Sequence, residues 1–86
     1  MSEEYWDLYG YIQSSNHRKD IVLCLSESPK IPSKIADEVE MRMPHVSKSL
    51  GDLAENGVVE CYNPDKRKGK VYGLTEKGLW VSKKLD

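Results

Sequence analysis

The sequence predicts an α+β, mainly helical fold: a three-helix core carrying a β-hairpin, with one more helix at each end. Three observations predict it. Apolar residues recur at three- and four-residue spacing up to about residue 56, the period then drops to two in two short stretches, and a basic loop joins those stretches.

Length and composition set the limits. With 86 residues the chain holds one domain, 1–86, and leaves no room for a second. Hydrophobic residues at 38% and charged residues at 31% supply a core and exclude a wholly disordered chain. The longest apolar run, Ile21 to Leu25, is far too short to span a membrane, and the N-terminus is acidic where a signal peptide is basic. A cytoplasmic protein with no membrane partner is expected. Cys24 and Cys61 form neither a CxxC nor a CxC pair, so both are read as buried thiols, and no metal or other cofactor is expected.

The first element runs from Glu3 to Gln13, within an N-terminal aromatic segment 1–13. Tyr5, Leu8, Tyr9 and Ile12 follow helical spacing with Trp6 beside them, although Gly10 weakens the helix. Ser14, Ser15 and Asn16 offer N-caps for a helix over His17 to Glu27 that buries Ile21, Cys24 and Leu25. Ser28-Pro29 ends it, and Lys30-Ile31 has room for a very short strand.

Segment 32–56 reads as two helices joined by a tight turn. Pro32 or Ser33 starts the first, which places Ile35, Ala36 and Val39 on one stripe and ends near Glu40. Met41, Arg42 and Met43 form the turn. Pro44 opens the second, with Val46, Leu50 and Leu53 at i, i+4 and i+7, and Asn56-Gly57 closes it as a left-handed cap. Over 58–74, Val58 to Tyr62 and Val71 to Leu74 read as strands joined by Asn63 to Lys70. Thr75 caps a last helix, 75–86, whose Leu79 and Leu85 are expected to pack inward.

Two short helices followed by a basic hairpin are the parts of a winged helix-turn-helix, in which one helix reads the major groove of double-stranded DNA and the wing meets phosphates. A net charge of -1 gives no general attraction to a polyanion, so distribution matters more. Lys66, Arg67, Lys68 and Lys70 crowd one loop, and Arg42, His45 and Lys48 gather at the start of the recognition helix, where the helix dipole also favours an anion. The expected DNA contacts are these residues with Ser33, Lys34, Ser47 and Ser49. The N-terminal aromatics would leave an apolar patch if exposed. Tyr5, Trp6, Leu8, Tyr9 and Ile12, with Trp80 and Leu85 from the last helix, are therefore expected to form a homodimer interface, the alternative being that they pack over the chain's own core.

Three stretches resemble the archaeal branch of the MarR/ArsR-type winged-helix transcriptional regulators: Ser14 to Arg18 opening a helix, IPSKIADEV from Ile31 to Val39, and PHVSKSLGDLAENGVVEC from Pro44 to Cys61. KRKGKVYGLTEKG follows from Lys66 to Gly78. The resemblance implies a dimeric regulator in which Pro44, His45, Ser47, Lys48 and Ser49 touch DNA and the wing cations touch phosphate. Gly51 departs from relatives that often carry a long basic side chain there, and the paired cysteines of metal-sensing members are missing.

An enzyme would need a convergent nucleophile, base or metal set, and the sequence offers two isolated histidines and no glycine-rich phosphate loop. The rival to DNA binding is a winged-helix protein-interaction module, which the net charge of -1 would suit. Operator, effector and direction of regulation are not encoded in any motif.

Overall fold

The structure, a computed structural model, describes residues 4–85. In chain order the elements are α1 (Trp6–Gln13), α2 (Asn16–Glu27), α3 (Pro32–Val39), α4 (Met43–Glu55), β1 (Val59–Cys61), β2 (Tyr72–Leu74) and α5 (Glu76–Leu85). Of the expected N-terminal helix, Glu3 lies outside the described residues.

The junction of α1 and α2 is built from side-chain capping. Ser14 Oγ donates to the Tyr11 carbonyl at 2.9 Å, and Ser15 Oγ accepts from the Arg18 amide at 3.4 Å. Arg18 then stacks its guanidinium 3.8 Å above the Tyr11 ring and donates to the Tyr11 carbonyl at 2.8 Å, pinning the end of α1 to the start of α2. Ser28 is extended before Pro29, and Lys30 forms an antiparallel bridge with Tyr72, which is the short strand the sequence leads one to expect.

Pro32 occupies the first turn of α3, and Pro44 that of α4. Between them Glu40 adopts a left-handed conformation (φ 56°) and Met41 donates to the Ala36 carbonyl at 3.1 Å, which turns the chain sharply. Val46, Leu50 and Leu53 are all buried, as their spacing requires. Gly57 closes the helix at φ 73°, and Val58 donates back to the Leu53 carbonyl at 2.9 Å.

β1 and β2 pair antiparallel with Val59 opposite Leu74 and Cys61 opposite Tyr72; both strands are shorter than their alternating patterns implied. Thr75 Oγ1 accepts from the Gly78 amide at 3.1 Å, confirming the cap of α5, and donates to the Gly57 carbonyl.

α2, α3 and α4 pack mutually, β1 rests on α4, and α1 and α5 pack on α2 and on each other. That arrangement corrects four expectations. Ile12 is completely buried in the chain's own core, so it offers nothing to a second copy; α1 completes the core rather than standing outside it. Leu79 points outward and is 46% exposed, because α5 turns Gly78, Val81 and Ser82 inward instead. Ser49 is buried, since it sits one turn from both Val46 and Leu53 and shares their side of α4. Cys61 is half-buried, whereas Cys24 is buried as expected. None of the described helices is long and apolar enough to cross a membrane.

Candidate nucleic-acid interface

The start of α3, the start of α4 and the wing converge on one side of the molecule. They border a cleft of about 320 Å³ lined by Ile31, Pro32 and Ser33 before and in α3, Met43 at the head of α4, and Arg67, Lys68, Gly69, Lys70 and Tyr72 from the wing. Sequence spacing separates Ser33 from Lys70 by more than half the helical core, and the Lys30–Tyr72 bridge closes that distance.

Asn63 shapes the wing. Its Oδ1 accepts from the Val71 amide at 2.7 Å, its Nδ2 donates to the Gly69 carbonyl at 3.1 Å, and its own carbonyl accepts from the Lys66 amide at 3.1 Å across Pro64-Asp65. Gly69 takes a left-handed conformation, φ 70°. Lys66, Arg67 and Lys68 are thereby held exposed and Lys70 half-buried, and none of the four is in an ion pair among the described residues. Sequence reasoning passed over Asn63, although an Asn before Pro-Asp is a recognisable turn signal.

At the base of the wing Tyr62 donates to the Leu74 carbonyl at 3.3 Å and lays its ring against Gly73, where a Cβ would collide with it. Glycine at this position lets the Tyr62 ring approach the strand closely.

Arg42, which precedes α4 as its N-cap, and Pro44, His45, Ser47 and Lys48 of α4 are exposed. Lys48 pairs with Asp52 along the same helix at 3.4 Å, and on α3 Lys34 pairs with Glu38 at 4.0 Å; both are exposed i,i+4 pairs worth a few tenths of a kcal/mol, roughly 0.3–0.5, and release their cations easily. His45 meets a neighbour that spacing could not reveal: the His17 ring of α2, 5.6 Å away between centroids. Of the expected contact residues, Ser33, Arg67, Lys68 and Lys70 border one cleft, His45 and Lys48 border another with Ser49 and Asp52, and Ser49 is otherwise buried.

The aromatic residues of α1 and α5 form a separate cluster on the surface built by α1 and α5. Trp80 meets Tyr5 edge-on at 5.7 Å and Trp6 at 5.0 Å, and Trp6 meets Tyr9 at 5.6 Å. Tyr5, Leu8, Tyr9, Trp80 and Leu85 are half-buried against the core, while Trp6 remains 52% exposed. Lys84 lies 5.2 Å over the Trp80 ring. Among the described residues no three His, Cys, Asp or Glu side chains converge as a metal site.

No protein-family model and no curated protein sequence matches this chain. Solved structures do resemble it. ZitR of Lactococcus lactis in complex with DNA superposes with a TM-score of 0.73 at 24% identity, over 80% of this chain and 48% of that one. Another ZitR structure, described as a zinc-responsive MarR family member, gives 0.72 at 21% identity over 80% and 49%. A MarR family transcription regulator gives 0.75 at 17% identity over 93% and 59%. The chain spans about half the length of the ZitR chains it matches. At these identities the likeness is one of architecture: five helices and a two-stranded hairpin arranged in the winged-helix fold that MarR-family transcription regulators share.

Proposed function

We propose that this chain is a sequence-specific regulator of transcription that binds double-stranded DNA, with α4 in the major groove and the wing along the backbone or in the neighbouring minor groove. One observation carries the reading: three wing cations, Arg67, Lys68 and Lys70, without ion-pair partners among the described residues, border one cleft together with the starts of α3 and α4. An α-helix fits the major groove, and helix starts and basic side chains suit phosphate. Arg42, Pro44, His45, Ser47 and Lys48 meet the duplex from α4, Ser33 and Lys34 from α3, and Lys66, Arg67, Lys68 and Lys70 from the wing. That a protein of the same fold is known in complex with DNA supports this.

Selection from a random duplex pool is expected to enrich a defined sequence. Replacing Lys66, Arg67 and Lys68 together by alanine is expected to weaken binding to every duplex and flatten the salt dependence by up to about one unit per lost phosphate contact. No enrichment, or an unchanged slope, refutes the proposal or its wing component respectively.

The same reading includes a homodimer through α1 and α5. The support is the exposed ring of Trp6, in contact with half-buried Tyr9 and Trp80, beside half-buried Tyr5, Leu8 and Leu85. Ile12 drops out of that interface. Sedimentation at high micromolar concentration tests it: a monomer there removes the dimer, and enrichment of an inverted repeat in the duplex selection is its expected counterpart.

A further inference from the structure

The cleft between the wing and the starts of α3 and α4 has a lining that phosphate contact alone does not explain. Arg67, Lys68 and Lys70 line it with no carboxylate beside them, and the same cleft holds Ile31, Pro32 and Met43. Among the described residues five large hydrophobic side chains are exposed, and two of them are here: Met43 at 44% and Ile31 at 37%. One exposed apolar residue is ordinary, whereas two lining a single cationic cleft suit a partner that is both anionic and locally apolar.

Met43 is not used by the core. It stands one turn before Val46 and continues the stripe of Val46, Leu50 and Leu53, all three of which are buried. In a helix each Cα–Cβ bond tilts toward the N-terminus, and Met43 is the first residue of α4, so its side chain reaches past the helix end instead of onto the core. Its unbranched thioether adapts to whatever apolar surface it meets.

Duplex DNA has the matching chemistry. Its phosphates answer the three cations, and the base edges of the major groove present donors, acceptors and one apolar group, the thymine 5-methyl. A recognition helix docks with its N-terminal residues against base edges while the helix before it crosses the backbone, which places Met43 at the bases and Ile31 beside the contact.

We infer that Met43 is a specificity-determining residue that reads a thymine in the major groove through its 5-methyl group, with Ile31 and Pro32 closing one side of the contact. The inference rests on α4 entering the major groove as proposed above, and adds to it the base and the chemical group that is read.

The test replaces thymidine by deoxyuridine, which lacks only that methyl and keeps every hydrogen-bonding group. In the duplex selected from the random pool, replacing each thymidine in turn is expected to weaken wild-type binding at one position, or at that position and its symmetry mate, by about three- to fivefold, as burial of one methyl group predicts. Met43→Ala is expected to bind the thymidine and deoxyuridine forms of that site equally. Met43→Leu, which restores an apolar side chain of similar size, is expected to recover the wild-type ratio. Each ratio is taken within one protein, so a change in stability cancels from it. A selected site with no deoxyuridine-sensitive position, or a ratio retained by Met43→Ala, overturns the inference and leaves DNA binding in place. A pool in which no sequence is enriched overturns the DNA reading itself, and the role of Met43 with it.

Discussion

Lys30 and Tyr72 exchange both of their backbone hydrogen bonds, each 2.9 Å long, so β2 is held on one edge by β1 and on the other by the chain between α2 and α3. The Lys30 side chain is itself nearly buried, donating to the Cys24 carbonyl at 2.6 Å with Glu27 and Glu38 each 3.7 Å away. The wing is thereby fixed relative to α3. Tyr72→Pro removes one of the two amides and strands the Lys30 carbonyl. Compared with Tyr72→Val, which keeps the amide, it is expected to lose about 1–3 kcal/mol of stability in urea denaturation, with faster exchange of the Lys30 amide.

Glycines at two helical positions are expected to respond oppositely to alanine. A Cβ at Gly78 would strike the Val58 carbonyl oxygen, because α5 crosses the chain there without any side chain between them. Gly78→Ala is expected to cost about 1–3 kcal/mol through overpacking. Gly10 in α1 has nothing within 4 Å, so Gly10→Ala is expected to stabilise by about 0.5–1 kcal/mol through helix propensity. Thermal and urea midpoints of both variants check the pair of signs.

Burial pushes the Cys24 thiol above its ordinary value of 9.0, with the charge of Lys30 drawing it part of the way back. The folded state therefore holds the thiol proton more tightly than the unfolded state does. The stability this contributes is present below the unfolded thiol value and is lost as pH rises past it toward the folded value. Between about pH 8 and about pH 10 the wild type is expected to lose more stability than Cys24→Ala, whose comparison removes the shared titration of other groups. Equal losses in the two proteins would remove Cys24 as the source.

If α4 reads bases, its exposed side chains and the wing should fail in different ways. Lys48→Ala is expected to reduce discrimination at one position of the selected site by about 1–3 kcal/mol. Alanines at Lys66, Arg67 and Lys68 should leave discrimination intact and lower affinity evenly. Binding of the selected site and of its single-base variants, measured for each protein, separates the two effects. A Lys48→Ala variant with unaltered discrimination takes Lys48 out of base reading.

The elements themselves were legible in the sequence because their causes are local. The spacing of Val46, Leu50 and Leu53, the prolines opening α3 and α4, the Asn56-Gly57 stop, the Thr75 cap and the period change at the hairpin all act within a few residues. The wing cations were legible for the same reason, as a loop tip collects what the strands reject. What tertiary structure decided was which face of each terminal helix turns inward. Tyr5, Leu8, Tyr9 and Ile12 make one amphipathic stripe whether it meets its own core or another chain, and only the packing of α1 on α2 and α5 buried Ile12. Ser49 moved inward because a stripe wider than its apolar residues takes in what lies one turn away, and Leu79 moved outward because α5 turns Gly78, Val81 and Ser82 to the core. The meeting of His17 with His45 and of Lys30 with Tyr72 lay beyond local reasoning, because such contacts depend on how helices cross, which long-range burial sets.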